Sequence, residues 1–246
     1  MSAAPLSSRE SRESRGVHAA FEALEAILRD PAALAAACVA GRARRALVVT
    51  ALAAIGVGMA LFGAVVGSMR GGAQIVYGSV KMPLAILSTL ITCVPAFHAF
   101  AAALGRPWSY RATASLTLVA GARASLCLVA ASPALWLVID FGAGYHAVKL
   151  LATLAYALAG LAALGLLLRA LGGGPRRTAT AAAFVVVFLL VGGQMAWSLR
   201  PFIVRPEAER TVFLTRTREG GLLHELRLSA EHVLLAPRTP ASERAR

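Results

Sequence analysis

Few side chains in this sequence are equipped for chemistry, and they stand far apart. Arg123 is the foremost: a guanidinium inside a long apolar run, where a fixed charge can grip a phosphate, a carboxylate or backbone carbonyls. The other polar groups in comparable settings are Thr89, Thr92 and Gln194, with His98 as a lone imidazole. A guanidinium does not release its proton, so Arg123 is suited to binding and not to proton relay. Proton- or cation-coupled carriers hold acids or histidines within their spans. Here the one carboxylate between Pro31 and Pro206 is Asp140, seventeen residues beyond Arg123. Along a helix that is about 25 Å, out of reach. No Ser/His/Asp or Cys/His set, paired carboxylate, P-loop or dinucleotide pattern occurs. Cys38, Cys93 and Cys127 lack metal-ligand spacing and read as small buried hydrophobes. An enzyme, a metal site or a cofactor is therefore not expected.

The elements that must position these groups are apolar. The chain is 58% hydrophobic, with a mean hydropathy of +0.68, above the roughly 45–50% apolar content of a soluble domain. Five runs, 46–69, 82–103, 112–136, 148–168 and 179–199, each reach the roughly 20 helical residues that cross hydrocarbon. Backbone groups facing lipid must pair within their own segment, so these runs are expected as helices. The fold class that results is all-α, a polytopic membrane bundle of about five spans. The net charge of +13 does not point to nucleic acid, because the basic residues sit mostly in the short gaps between runs.

Arg123 lies about eleven positions into the third run, roughly 16 Å along it, where an arginine costs about 2.5–3.5 kcal/mol. Something must compensate that cost. The candidates are the carbonyls freed near Pro95 in the second run, the Thr89 and Thr92 hydroxyls, Gln194, or a lipid phosphate. Gly56 and Gly58, and Gly160 and Gly165, allow close helix approach, and neither pair has the strict G-x-x-x-G spacing.

Outside the runs, residues 1–16 are rich in Ser, Arg and Glu and are expected to be disordered. Residues 17–45 read as cytoplasmic amphipathic helices resting on the membrane or the bundle. Phe21, Leu24 and Leu28 recur on one face, and Asp30-Pro31 ends one helix and caps the next. Residues 200–246 form a tail in which Leu222, Leu226, Ala230 and Val233 mark an interfacial helix.

The run Gln194-Met195-Ala196-Trp197-x-Leu199-Arg200-Pro201-Phe202 resembles the hallmark of a family of multipass bacterial membrane proteins of unassigned function. Lys81-x-Pro83-Leu84, then Thr89-Leu90 and Pro95, is similar to that family's second span. The layout also resembles the five-span Yip-type domain, without its acidic and aromatic signatures, so GTPase binding is not implied. The resemblance implies a bacterial inner membrane and no activity. The expected function is a non-enzymatic integral membrane scaffold or partner-binding subunit, in contact with membrane lipids and with a protein partner or a second copy. The alternative is a channel or carrier for an anionic or lipidic ligand centred on Arg123.

Arginines set the expected orientation. Arg42, Arg44 and Arg45, then Arg106 and Arg111, then Arg169, Arg176 and Arg177 share one side; Arg70, Lys81 and Lys149 lie on the other. The positive-inside rule puts the N-terminus in the cytoplasm and, after five spans, the tail outside. Reporter fusions at Arg106 and Gly173 should thus signal cytoplasm, and fusions at Gly72, Gly142 and Thr239 the opposite side. A cytoplasmic signal at Thr239 would remove one span or add one.

Overall fold

The computed structural model describes residues 6–43, 45–106, 108–173 and 176–199, all helices and short connections. Helix α1 is Leu6–Arg29, α2 Pro31–Val39, α3 Arg45–Ser68, α4 Ala73–Ala103, α5 Tyr110–Asp140, α6 Tyr145–Leu171 and α7 Arg177–Leu199. Helices α3 to α7 are long and apolar enough to cross a membrane, five in all among the described residues. The described residues make an all-α integral membrane protein, and the helix over the third run is long and apolar enough to cross despite Arg123.

Two boundaries depart from the sequence reading. Helix α1 already begins at Leu6, so the disorder expected up to residue 16 is corrected for residues 6–16. Arg and Glu are good helix formers, and their alternation extends a helix nucleated further along. Helix α4 begins at Ala73, nine residues before the expected Met82, and Lys81 lies inside it, fully buried. The charge of Lys81 interrupts the hydropathy run but not the helix, which carries Gln74 and Gly78 on the same buried face. The expected tail helix, with Arg200, Pro201 and Phe202 of the motif, lies outside the described residues.

The Asp30-Pro31 junction is as the sequence reads. The Asp30 carboxylate accepts from the Ala33 amide at 3.0 Å, and Pro31 opens α2, where its missing N–H costs nothing. Helix α2 packs on α5 and α6, burying Leu34, Ala35 and Cys38, and α1 packs on α3 and α5. Helix α5 is the hub, touching α1, α2, α3, α4 and α6. Prolines 83, 95 and 133 sit inside continuous helices. At the end where α5 and α7 begin, Arg106 donates to the Gly173 carbonyl at 2.9 Å and joins two connections. Nearby, Phe97 of α4 stacks on Phe184 of α7 at 4.5 Å, with Trp108 edge-on to the latter.

The closest helix approach is between α3 and α4, at Gly63, Gly67 and Gly78. A Cβ on Gly63 would collide with the Gly78 carbonyl, and one on Gly67 would stand 2.5 Å from the Gln74 carbonyl. Of the glycines singled out from sequence, Gly58 meets Val129 at 3.1 Å, whereas Gly56 and Gly160 face open space. Gly63 and Gly67 do have G-x-x-x-G spacing, which the sequence displays and which marks the true crossing. Gly63→Ala should therefore destabilise the bundle by about 1–3 kcal/mol through forced overpacking. Gly56→Ala should be neutral or better, and thermal unfolding in detergent distinguishes the two.

Candidate functional site

The site is best built from Arg123 outward. Thirteen residues into α5, it is part-buried, and its Nη1 donates to the Ile27 carbonyl at 3.0 Å. Ile27 belongs to the last turn of α1, whose carbonyls have no intrahelical partner; the Ala26 carbonyl is taken by the Asp30 amide. A cation beside those carbonyls also meets the negative end of the helix dipole. Arg123 thus acts as a C-cap supplied by another helix. Its Nε is buried with no hydrogen-bond partner among the described residues.

None of the side chains or freed carbonyls expected from sequence answers Arg123 among the described residues. Thr89 is buried and donates to the Ala85 carbonyl of its own helix at 2.7 Å. Thr92 is exposed on α4, and Gln194 is exposed near the far end of α7. The freed carbonyl behind Pro95 belongs to Ile91, on the exposed side of α4. The cluster of Arg123, Gln194, Thr89 and Thr92 is therefore corrected: four positions on three helices, each in its own setting. Thr89 does touch α7, its methyl standing 3.5 Å from a Cβ built on Gly192. The motif residues Lys81, Pro83 and Pro95 share α4, and Trp197 falls within α7.

Contacts that the sequence did not reveal complete the arrangement. The Cys38 thiol of α2 is wholly buried and is hydrogen-bonded with the Ser115 hydroxyl of α5, eight residues before Arg123. Burial pushes the thiol above its ordinary range, the Ser115 contact pulling weakly the other way, so it stays protonated and unreactive at neutral pH. Ile27 and Cys38 therefore bracket a stretch of α5 along which the α1–α2 corner is seated. Deeper in the bundle, the Tyr156 hydroxyl donates to the Met82 sulfur at 2.8 Å and its ring is edge-on to Phe62. His98 rests edge-on against Tyr110 at 5.6 Å. Among the described residues no three His, Cys, Asp or Glu side chains converge.

Chemically, this is a latch. A charged donor on a span holds the end of a peripheral helix, and an apolar contact holds the next. Arg123→Leu would leave the Ile27 carbonyl unanswered at about 1–3 kcal/mol while removing the cost of the charge, so overall stability should change little. The last turn of α1 should instead exchange its amide hydrogens faster. Cys38 should react with maleimide at least about tenfold faster once the corner opens, in a Cys127→Ala background. Unchanged labelling of Cys38 would show that the corner is held without Arg123.

Comparisons with protein-family models, with curated proteins and with solved structures found no match for this chain.

Proposed function

We propose that the protein is a non-enzymatic scaffold or partner-binding subunit of a bacterial inner membrane, with its N-terminus in the cytoplasm. The observation that carries this reading is the engagement of Arg123. Its guanidinium donates to the chain's own α1 carbonyl, so this charge within a span serves to hold a peripheral helix against the bundle. One of the faces that helix presents outward is charged: His18 and Glu22 pair at 3.6 Å, Arg29 and Glu25 at 3.3 Å, all well exposed. Exposed pairs of this kind add little stability. Their availability suits them to a protein partner.

The cytoplasmic assignment draws on the arginine asymmetry, which the position of Lys81 sharpens. With Lys81 inside α4, the α3–α4 connection keeps Arg70 alone, and residues 141–144 between α5 and α6 have no Lys or Arg.

A photo-cross-linking residue at Glu22 or Glu25 in intact cells should yield a discrete adduct, lost when both acids are reversed to Lys. Absence of any adduct from either position would overturn the scaffold reading. Vesicles containing purified protein should pass neither inorganic anions nor labelled phospholipid in an Arg123-dependent way. A flux that collapses in Arg123→Lys, where a charge remains but the fork is lost, would replace the scaffold with a carrier.

A further inference from the structure

The apolar stripe that the sequence marks on α1 is not the face that docks. Ala23 and Ile27 are buried, whereas Val17, Phe21 and Leu28 are 56%, 67% and 51% exposed. At about 100° per residue, Val17, Phe21 and Leu28 fall within roughly 40° of one another, forming one narrow ridge of large side chains. His18, Glu22, Glu25 and Arg29 occupy a second sector about 90° round the helix, and the docking residues Ala23 and Ile27 a third about 120° away on the other side. A helix packed on a protein in water needs two kinds of face, one apolar and one polar. This one has three.

We propose that α1 lies in the headgroup–acyl boundary of the bilayer that the spans cross, with the Val17–Phe21–Leu28 ridge among the acyl chains. The Ala23–Ile27 face holds it laterally to the bundle, and the charged face looks to water. Three independent observations place lipid, and not a protein, on the ridge.

The first is depth. Helix α5 has 31 residues, about 46 Å of axis against about 30 Å of hydrocarbon. Sharing the excess between both ends leaves about 8 Å outside at each. Arg123 stands thirteen steps from Tyr110, about 20 Å, and so roughly 12 Å inside the boundary at its Cα. Helical side chains lean back over the preceding turn, about 5 Å toward the start of α5. The guanidinium, and with it the Ile27 carbonyl, then lies about 7 Å below the surface. Interfacial amphipathic helices bury their apolar face by about 5–10 Å.

The second is continuity. Helix α1 packs on α3, whose own outward residues in its first half, Val49 and Leu52, are exposed and apolar like the rest of the lipid-facing belt. The third is charge. The end of the bundle that seats the α1–α2 corner gathers Arg42, Arg45, Arg106, Arg111 and Arg169, a ring complementary to anionic headgroups. The proposal does not depend on whether a protein binds the charged face.

The test uses the full chain in nanodiscs of phosphatidylcholine and phosphatidylglycerol, in a Cys127→Ala background. One cysteine introduced at Phe21, Leu28 or Glu22 takes an environment-sensitive fluorophore, Cys38 and Cys93 being buried; all three sites are exposed, so the core packing is untouched, and helicity by circular dichroism checks it. Brominated acyl chains should quench positions 21 and 28 about threefold more than position 22, and aqueous iodide should show the reverse order. Iodide quenching at 21 equal to that at 22 would put the ridge in water and overturn the proposal. Protection of 21 and 28 from both quenchers would mean a protein covers the ridge, and would overturn it equally. In that case, loss of the protection at one chain per disc would identify the cover as a second copy.

Discussion

Hydrocarbon offers no hydrogen-bond partner, so every polar group in this bundle must be answered by the chain itself. With one carboxylate in the whole membrane region, at the exposed end of α5, side-chain ion pairs are not the means. Backbone carbonyls are. Thr89, Thr117 and Ser132 each donate to the carbonyl four residues back, at 2.7, 2.8 and 2.9 Å. Arg123 obeys the same rule at longer range, finding the carbonyl of a helix end. That carbonyl was itself without a partner, so two unanswered groups cancel.

From that cancellation the seat of the N-terminal pair follows. Helix α2 has nine residues, too few to be stable alone. It exists because Asp30 caps it, because Leu34, Ala35 and Cys38 bury on α5 and α6, and because Arg123 fixes where the end of α1 sits. Length, cap and anchor all converge on the Asp30-Pro31 corner. A shift of α1 by one residue would move the Ile27 carbonyl about 100° round its axis and away from the guanidinium.

The five spans were legible because about 20 apolar residues in a row have one solution in a bilayer. The Asp30-Pro31 corner was legible because an N-cap acid followed by proline is a local signal. The early start of α4 was hidden, since a window reading takes the charge on Lys81 as an end, and the burial that removes Lys81 from lipid is a tertiary fact. The α3–α4 crossing is readable in the spacing of Gly63 and Gly67, whereas a glycine count alone does not separate them from Gly56 and Gly160, which face open space. The partner of Arg123 was not readable at all. Ile27 lies 96 residues earlier and contributes a carbonyl, which every residue has and no sequence pattern marks. The docking face of α1 misled for a related reason: large side chains dominate a periodicity, while close helix contact selects the small ones.

Magnitudes decide what the arginine is for. A hydrogen bond to a charged group contributes about 1.5–3 kcal/mol net, and a charge at the centre of a span costs about 2.5–3.5, an upper limit for a guanidinium nearer the boundary. The two nearly balance, so Arg123 adds little stability. Burial of Ile27 and Leu34, each fully or almost fully removed from solvent, contributes about 1.5–3 kcal/mol apiece and supplies the docking energy. Those contacts alone would tolerate sliding, because an alanine-rich surface matches its neighbour in several registers. A charge that finds a partner at only one carbonyl removes the other registers. The arginine specifies where the helix sits, and the apolar contacts hold it there.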